Sequence, residues 1–173
     1  MQMTDEQLQI LQTVALRTLE YEAATTQRVI EAIPADNTGY KPDEISMSSL
    51  ELAKHIANSE LQILRGAITG QFDFSQGVPA SVKTPSDVSK WYAGELEGVK
   101  AELTALPPEK LAQIIDFGGK LQLPAVLYVD LAIRHSIHHR GQLSAHIRAA
   151  GGKVPSIYGP SYEDKQAQKA ASA

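Results

Sequence analysis

The chain has 173 residues, of which 43% are hydrophobic and 21% are charged, a balance typical of one globular domain with a substantial core. Sixteen basic and twenty acidic side chains give a formal charge of −4, which argues against DNA or an anionic membrane surface as a partner. The chain has no cysteine, which excludes a disulfide, a thiolate nucleophile and a thiolate metal ligand.

The first helix is predicted over residues 5–33, where apolar side chains recur at helical spacing. Thr4 is the expected N-cap, because its side chain can bind the free amides of the first turn. Pro34 has no amide hydrogen and is expected to stop the helix. The residues that follow, 34–46, contain proline, asparagine and glycine and are predicted to form a loop.

The second and third helices also carry start and stop signals. Ser48 and Glu51 have the spacing of a capping box, and the second helix is expected to end within residues 66–70, a segment with glycine at both ends. After a second loop, helical spacing resumes over residues 84–106. The proline pair that begins at Pro107 is expected to break this third helix.

The last part of the chain predicts a short hairpin and one more long helix. Residues 114–123 read as two short extended pieces around adjacent glycines, which suits a small hairpin. Helical spacing then runs from about Pro124 to the glycine pair at Gly151. The expected fold is all-α, a four-helix bundle with a short β-hairpin before the last long helix. We expect one domain over residues 1–161 and a polar C-terminal tail, frayed or disordered, over 162–173.

Three histidines carry the main chemical signal. His135 and His139 are four residues apart in the last long helix, so their side chains lie about 40° apart around the axis and about 6 Å apart along it. His55 lies in the second helix, and a packed neighbouring helix can supply a third nitrogen. Three neutral imidazoles at one point form a site for zinc, nickel or another divalent transition metal, with one coordination position open.

The neighbouring residues of the last helix offer alternatives. His138 points about 100° away from His139 and could replace a member of the pair only if the helix were rotated. His146 lies about 16 Å along the axis from His135, too far to share an ion with it. Arg140 could attract an anion, but pairing on the surface is the more common role for an arginine.

Three polar residues are candidates for orienting the histidine rings. Glu60 is five residues after His55, and Asp130 is five residues before His135. Either could be a carboxylate partner of a metal ligand, but a solvated surface charge is the favoured interpretation for both. Gln142 is two helical turns from His135 on nearly the same face and could line the pocket.

Several stretches of the sequence resemble one family. They are residues 39–44 and 46–48, which are similar to the loop that opens the family's second helix; 52–57, which contains His55; and 135–143 with 151–152 and 154–159, which match the signature of the last helix and the segment after it. On these stretches the chain resembles the DinB superfamily of small four-helix bundles, also called DinB/YfiT-like metalloenzymes.

The resemblance implies a site and an assembly. Members place a metal on one histidine of the second helix and an i, i+4 pair of the fourth, which correspond here to His55, His135 and His139. Members commonly form homodimers through helices of the bundle. Characterised relatives include thiol S-transferases that use low-molecular-weight thiols and a mycothiol-dependent isomerase. Others have only a resemblance to hydrolases, and many have no assigned substrate.

The expected function is therefore that of a divalent-metal-dependent enzyme that activates a small thiol, as an S-transferase, or water, as a hydrolase. The alternatives are a non-catalytic metal- or ligand-binding stress-response dimer, and a structural bundle with hydrogen-bonded histidines. A small-molecule substrate is expected, and neither nucleic acid nor a membrane. Residues 1–7 lack the features of a secretory signal, so a cytoplasmic location is expected.

Overall fold

The structure, a computed structural model, describes residues 3–172. In that part, four long helices, two shorter helices and a two-stranded sheet follow one another along the chain. They are α1 (Asp5–Glu31), α2 (Ser49–Thr69), α3 (Pro85–Thr104), α4 (Pro108–Leu111), β1 (Ile114–Asp116), β2 (Gln122–Pro124), α5 (Ala125–Ala149) and α6 (Tyr162–Ala171).

The four long helices form the bundle that the sequence predicts. α2 packs on α5 and α3, and α1 packs on the same two helices from the other side. Their apolar faces meet in one core that includes Leu19, Ile30, Ile56, Leu64, Tyr92, Leu143 and Ile147. The predicted fold class, an all-α four-helix bundle with a small hairpin, is confirmed. Among residues 3–172, no helix combines the length and the apolarity needed to cross a membrane.

Polar side chains set the starts of the long helices. Thr4, Ser48 and Thr84 each close a capping box with the residue three positions later, so otherwise free backbone amides are satisfied. α1 ends at Glu31, two residues before the predicted end. Its last turn tightens there, because the Ala32 amide donates to the carbonyls of Val29 and Ile30.

The hairpin lies immediately before α5 and is fastened to it. β1 and β2 are antiparallel, with Ile115 opposite Leu123, and the glycine pair of the turn has positive φ angles of 58° and 73°. The Tyr128 hydroxyl donates to the carbonyls of Ile115, at 2.9 Å, and Leu121, at 3.1 Å. These bonds fix the hairpin to the first turn of the helix that carries two of the three candidate histidines.

The tail after α5 is ordered as a helix within the described residues. Ser161 caps α6, and Arg148 of α5 forms an ion pair with Glu163. α6 has no buried residue, so this surface ion pair and the turn before the helix connect it to the bundle. The sequence was compatible with either a frayed helix or disorder in this segment. The capping box at Ser161 accounts for the helix.

Candidate metal centre

α2 and α5 bring together the three histidines that the sequence analysis selected. The candidate ligand nitrogens of His55, His135 and His139 all lie within 4.8 Å of one another. The ring centroid of His139 is 4.6 Å from that of His55 and 4.4 Å from that of His135. These three residues therefore form a possible metal site between two packed helices, and their role as ligands stays a prediction.

The packing of α2 explains where the cluster lies. Ala53, Ile56 and Ala57 are fully buried in the core, whereas His55 on the same helix is half-buried. His135 and His139 are also half-buried, on the α5 face that meets α2. The cluster thus lies at the edge of the core, where a small ligand can enter from solvent.

The spacing of two of the nitrogens fits a metal ion. Nε2 of His55 and Nε2 of His139 face each other at 3.3 Å. Two nitrogens bound to one ion at about 2.05 Å in tetrahedral geometry lie about 3.3 Å apart. The donor set, three imidazoles, suits zinc, nickel and other divalent transition metals, and it leaves a position open for a further ligand.

Burial lowers the pKa of two of the three rings, those of His135 and His55. Burial, with the nearby rings of His139, His55 and His138 adding to it, lowers the pKa of His135 to about 4. The pKa of His55 is also lowered, first by burial and then by His139. Protonation would bring like charges together, so His55 and His135 are neutral at pH 7, as metal ligation requires.

Gln142 contacts the cluster directly. Its Oε1 lies 2.7 Å from Nδ1 of His139, and because an amide oxygen can only accept, the proton of His139 resides on Nδ1. The lone pair is then on Nε2, which faces His55. The amide Nε2 of Gln142 lies 3.3 Å from Nε2 of His138, an exposed ring that the structure leaves outside the cluster.

A further partner of the cluster, Ser59, was not predicted from the sequence. Ser59 Oγ lies 3.3 Å from Nδ1 of His55 and can orient that ring. The signal was available in the sequence, since Ser59 follows His55 by four residues and side chains at this spacing are neighbours on a helix. His135, by contrast, has a buried Nδ1 with no hydrogen-bond partner among the described residues.

The two candidate carboxylates differ from each other. Asp130 is exposed and pairs with Arg134 at 2.6 Å, so it is the solvated charge that was expected. That same expectation is wrong for Glu60, which is fully buried and accepts a hydrogen bond from the Tyr92 hydroxyl. Burial raises the pKa of Glu60 to about 7, although the Tyr92 hydrogen bond opposes the rise. A carboxyl without a cationic partner at contact distance resists ionisation in the core.

Arg140 also departs from the surface role expected of it. Its side chain is 2% exposed and pairs with the buried carboxylate of Glu22 at 2.6 Å. The guanidinium also donates to the Glu22 carbonyl, the Thr26 hydroxyl and the Tyr158 hydroxyl, at 3.1, 3.2 and 2.6 Å. This Arg140 cluster is complete in itself and offers no free cation to an anionic ligand.

A groove begins beside the histidines. It has a volume of about 480 Å³ and lies between α5 and the loop before α2. Apolar and polar side chains line it: Pro42, Ile45, Ser46, Met47, Leu52, His139, Gln142, Ala145 and His146. The groove gives an organic molecule a route to His139.

Comparison with known proteins agrees with the fold. Residues 3–170 match the DinB family. YjoA of Bacillus subtilis is 34% identical over 131 residues, which cover 73% of this chain and 82% of that protein. YrdA of the same organism is 29% identical over 154 residues, which cover 86% of this chain and 89% of that protein.

Two solved structures have the same fold. The crystal structure of the DinB-like protein YjoA superposes with a TM-score of 0.69 at 28% identity, covering 84% of this chain and 97% of that one. A DinB-like protein from Bacillus cereus has a TM-score of 0.68 at 21% identity, covering 83% and 95%. With a family match over nearly the whole sequence and a relative above 30% identity, the chain belongs to the DinB family.

Proposed function

We propose that this protein is a divalent-metal-dependent enzyme that activates a small thiol for transfer to an electrophile. The observation that carries the proposal is the pair of Nε2 atoms of His55 and His139, which face each other at 3.3 Å with His135 beside them. Zinc and nickel are the ions that we propose for this site. A bound ion with an open coordination position would lower the pKa of a coordinated thiol or water.

The protein's own groups prepare the site. Gln142 holds the proton of His139 on Nδ1 and so directs the Nε2 lone pair inward. Ser59 is placed to orient His55. In the reaction, the thiol S–H bond breaks and its proton passes to solvent. The sulfur then forms a bond to the electrophilic carbon of the second substrate, and the leaving group departs with its electron pair.

The lining of the groove favours a thiol over water as the activated molecule. Ile45, Met47 and Leu52 present apolar surface on the way to His139. Such surface gains free energy when it covers the carbon skeleton of an organic thiol, whereas water needs no apolar wall. Hydrolysis is the competing outcome of the experiment below.

The test begins with metal content. Untagged protein, purified without nickel resin, is analysed for bound metal and then titrated with Zn²⁺ and Ni²⁺. We expect one ion per chain. A His135→Ala variant should lose it, because two imidazoles bind far more weakly than three, whereas the matched His138→Ala variant should keep it. No metal binding in the wild-type protein, or equal binding in the His135→Ala variant, would overturn the site.

The second step measures turnover. Metal-loaded protein is mixed with 2-mercaptoethanol and 1-chloro-2,4-dinitrobenzene, and separately with p-nitrophenyl acetate in the absence of thiol. Thiol-dependent release of chloride that the His135→Ala variant lacks would support transfer. Ester cleavage alone would favour a hydrolase. Stoichiometric metal without either activity would favour the non-catalytic metal- or ligand-binding alternative.

We also propose a homodimer through α1. Ile10 and Val14 are each 56% exposed, and Leu11 between them is 37% exposed. An antiparallel second copy with its centre between Ile10 and Val14 would cover this apolar face. It would also bring Glu6 of each chain close to Arg17 of the other, so the charges at the rim are complementary.

The oligomeric state tests this interface. Light scattering after size exclusion should give about twice the chain mass for the wild-type protein. An Ile10→Glu variant should shift to the monomer, because antiparallel contact would bury two new carboxylates in an apolar seam. Ile45→Glu is the control, since Ile45 is 97% exposed in the loop before α2, beside a groove lined by that loop, α2 and α5. A wild-type monomer would refute the interface.

A further inference from the structure

The groove beside the histidine cluster follows α5 towards its C-terminal end. His139, Gln142 and His146 all line it, and their spacings of three and four residues place them along one face of the helix. His146 is seven residues beyond His139, which corresponds to about 10 Å along the axis. The groove therefore links the candidate metal site to a second histidine.

His146 is buried and incompletely bonded. The residue is 9% exposed, and its Nδ1 has no hydrogen-bond partner among residues 3–172. Its ring packs edge-on against Tyr40, with centroids 5.7 Å apart and planes 76° apart. The enclosed Nδ1 has no surface that a ligand in the groove can reach, so a hydrogen bond to such a ligand falls to the other ring nitrogen, Nε2.

The charge around His146 selects the kind of group that it can bind. Burial lowers the pKa of this imidazole, and the nearby Asp43 carboxylate opposes the shift without reversing it. A neutral imidazole can both donate and accept a hydrogen bond. Because Asp43 contributes negative potential, an uncharged polar group is favoured over a carboxylate or phosphate at this end of the groove.

The stretch between the two histidines is mostly apolar. Ile45, Met47 and Ala145 line it, with Ser46 the polar residue on the loop side. A flexible alkyl chain buries its surface well against such a lining. About eight bonds of an extended alkyl chain span the 10 Å from His139 to His146.

We propose that the groove binds an elongated thiol, with its sulfur at the histidine cluster, an apolar chain along the groove and an uncharged polar end hydrogen-bonded to His146. His146 is then a specificity-determining residue, which selects the thiol by length and by the polarity of its far end. This inference rests on the proposed function for the placement of the sulfur.

Binding measurements with a series of thiols test the inference. The probes are 2-mercaptoethanol, 4-mercapto-1-butanol, 6-mercapto-1-hexanol and 8-mercapto-1-octanol, with 8-mercaptooctanoate as the charged analogue. Dissociation constants are measured by NMR titration of the imidazole C–H signals, which are assigned from a His146→Gln spectrum. We expect 8-mercapto-1-octanol to bind most tightly, and at least tenfold more tightly than 8-mercaptooctanoate. Equal affinity for these two thiols would overturn the inference.

Variants separate the role of His146 from simple apolar binding. His146→Phe keeps the ring shape but removes both nitrogens, and it should weaken 8-mercapto-1-octanol binding about tenfold. His146→Gln keeps an uncharged donor and acceptor and should restore part of the affinity. His138→Phe is the matched control, on an exposed face of α5, and should preserve the preference. If His146→Phe is folded by circular dichroism and binds 8-mercapto-1-octanol like the wild-type protein, the inference is wrong.

The outcomes for the two proposals differ. Preferential binding of 8-mercapto-1-octanol without transfer to any electrophile would support the groove and contradict the proposed transferase. Transfer from 2-mercaptoethanol without any preference for chain length would support the transferase and contradict the role of His146.

Discussion

Two polar clusters share helix α5, and they differ in how fully their groups are bonded. The Arg140 cluster joins a cation to the Glu22 carboxylate; Thr26 accepts a further hydrogen bond from Arg140 and Tyr158 donates one to Glu22, so charge and bonding are balanced. The histidine cluster joins three groups of the same kind, none of which supplies an opposite charge. The balanced cluster needs no further charge, whereas the proposed metal ion would supply the positive charge that the histidine cluster lacks.

The two clusters are neighbours in the sequence as well as in space. His139 and Arg140 are consecutive residues, so their side chains point about 100° apart on the helix. Arg140 therefore anchors α5 to α1 from one face, while His139 meets α2 on the other. Rigid attachment of the helix on one side fixes the positions of the histidine rings on the other.

Removing the carboxylate from the Arg140 cluster should have the largest effect on stability. A Glu22→Ala variant leaves the Arg140 guanidinium buried without its carboxylate, and we expect the free energy of unfolding to fall by about 3–5 kcal/mol. Urea unfolding followed by circular dichroism measures the change. The control is Asp130→Ala, which breaks an exposed pair and should cost less than about 1 kcal/mol. Equal losses in the two variants would contradict the distinction between the clusters.

Ionisation of the buried Glu60 carboxyl should lower the free energy of unfolding by about 3 kcal/mol as the pH rises. Its pKa is about 7 in the fold, against 4.5 for an exposed glutamate. The folded pKa is the higher one, so the stability that the neutral acid supplies is fully present below pH 4.5. It is lost as the pH rises from 4.5 to 7. At about 1.4 kcal/mol per pH unit, the loss reaches about 3 kcal/mol above pH 7.

A Glu60→Gln variant isolates this contribution, because glutamine stays neutral at every pH. Urea unfolding at pH 4.5, 6.0 and 7.5 gives the free energy of unfolding of the variant and of the wild type. Subtracting the wild-type value from the variant value largely cancels the contributions of the other titrating groups. We expect this difference to rise with pH by about 3 kcal/mol. A difference that does not change with pH would show that Glu60 ionises as freely in the fold as in the unfolded chain.

Removing the Gln142 hydrogen bond from the histidine cluster should have a smaller effect, and this effect should appear in the free energy of metal binding. Gln142→Leu removes the acceptor that holds the proton of His139 on Nδ1, and we expect Zn²⁺ affinity to fall about 10–100-fold. Competition with a chromophoric chelator measures it. His138→Ala should change the affinity less than about twofold, since His138 lies outside the cluster and is not a predicted ligand. A larger loss for His138→Ala than for Gln142→Leu would reverse the assignment.

The sequence predicts the features that depend on interactions between residues close together in the chain. Helical spacing and capping residues such as Ser48 act over a few positions, so the bundle and the hairpin could be inferred before the structure was known. The convergence of His55 with the α5 pair needed one further assumption, that α2 and α5 pack together, and the family resemblance supplied it.

The burial of Glu60 and Arg140 could not be inferred in the same way. Ionisable side chains are usually exposed, and the exceptions depend on partners that lie far away in the chain. Glu22 is 118 residues from Arg140, and the Glu60 partner Tyr92 is 32 residues away. The spacing of these residues in the sequence does not predict their contacts, because the contacts form only when separate helices pack together.

Tyr158 extends the Arg140 cluster beyond the bundle helices. Its ring is largely open to solvent, but its hydroxyl donates to the Glu22 carboxylate at 2.9 Å and accepts from Arg140. The irregular segment after α5 is therefore latched to the middle of α1. A shortened chain that stopped at the end of α5 would retain all four long helices but lose this connection between the C-terminal segment and α1.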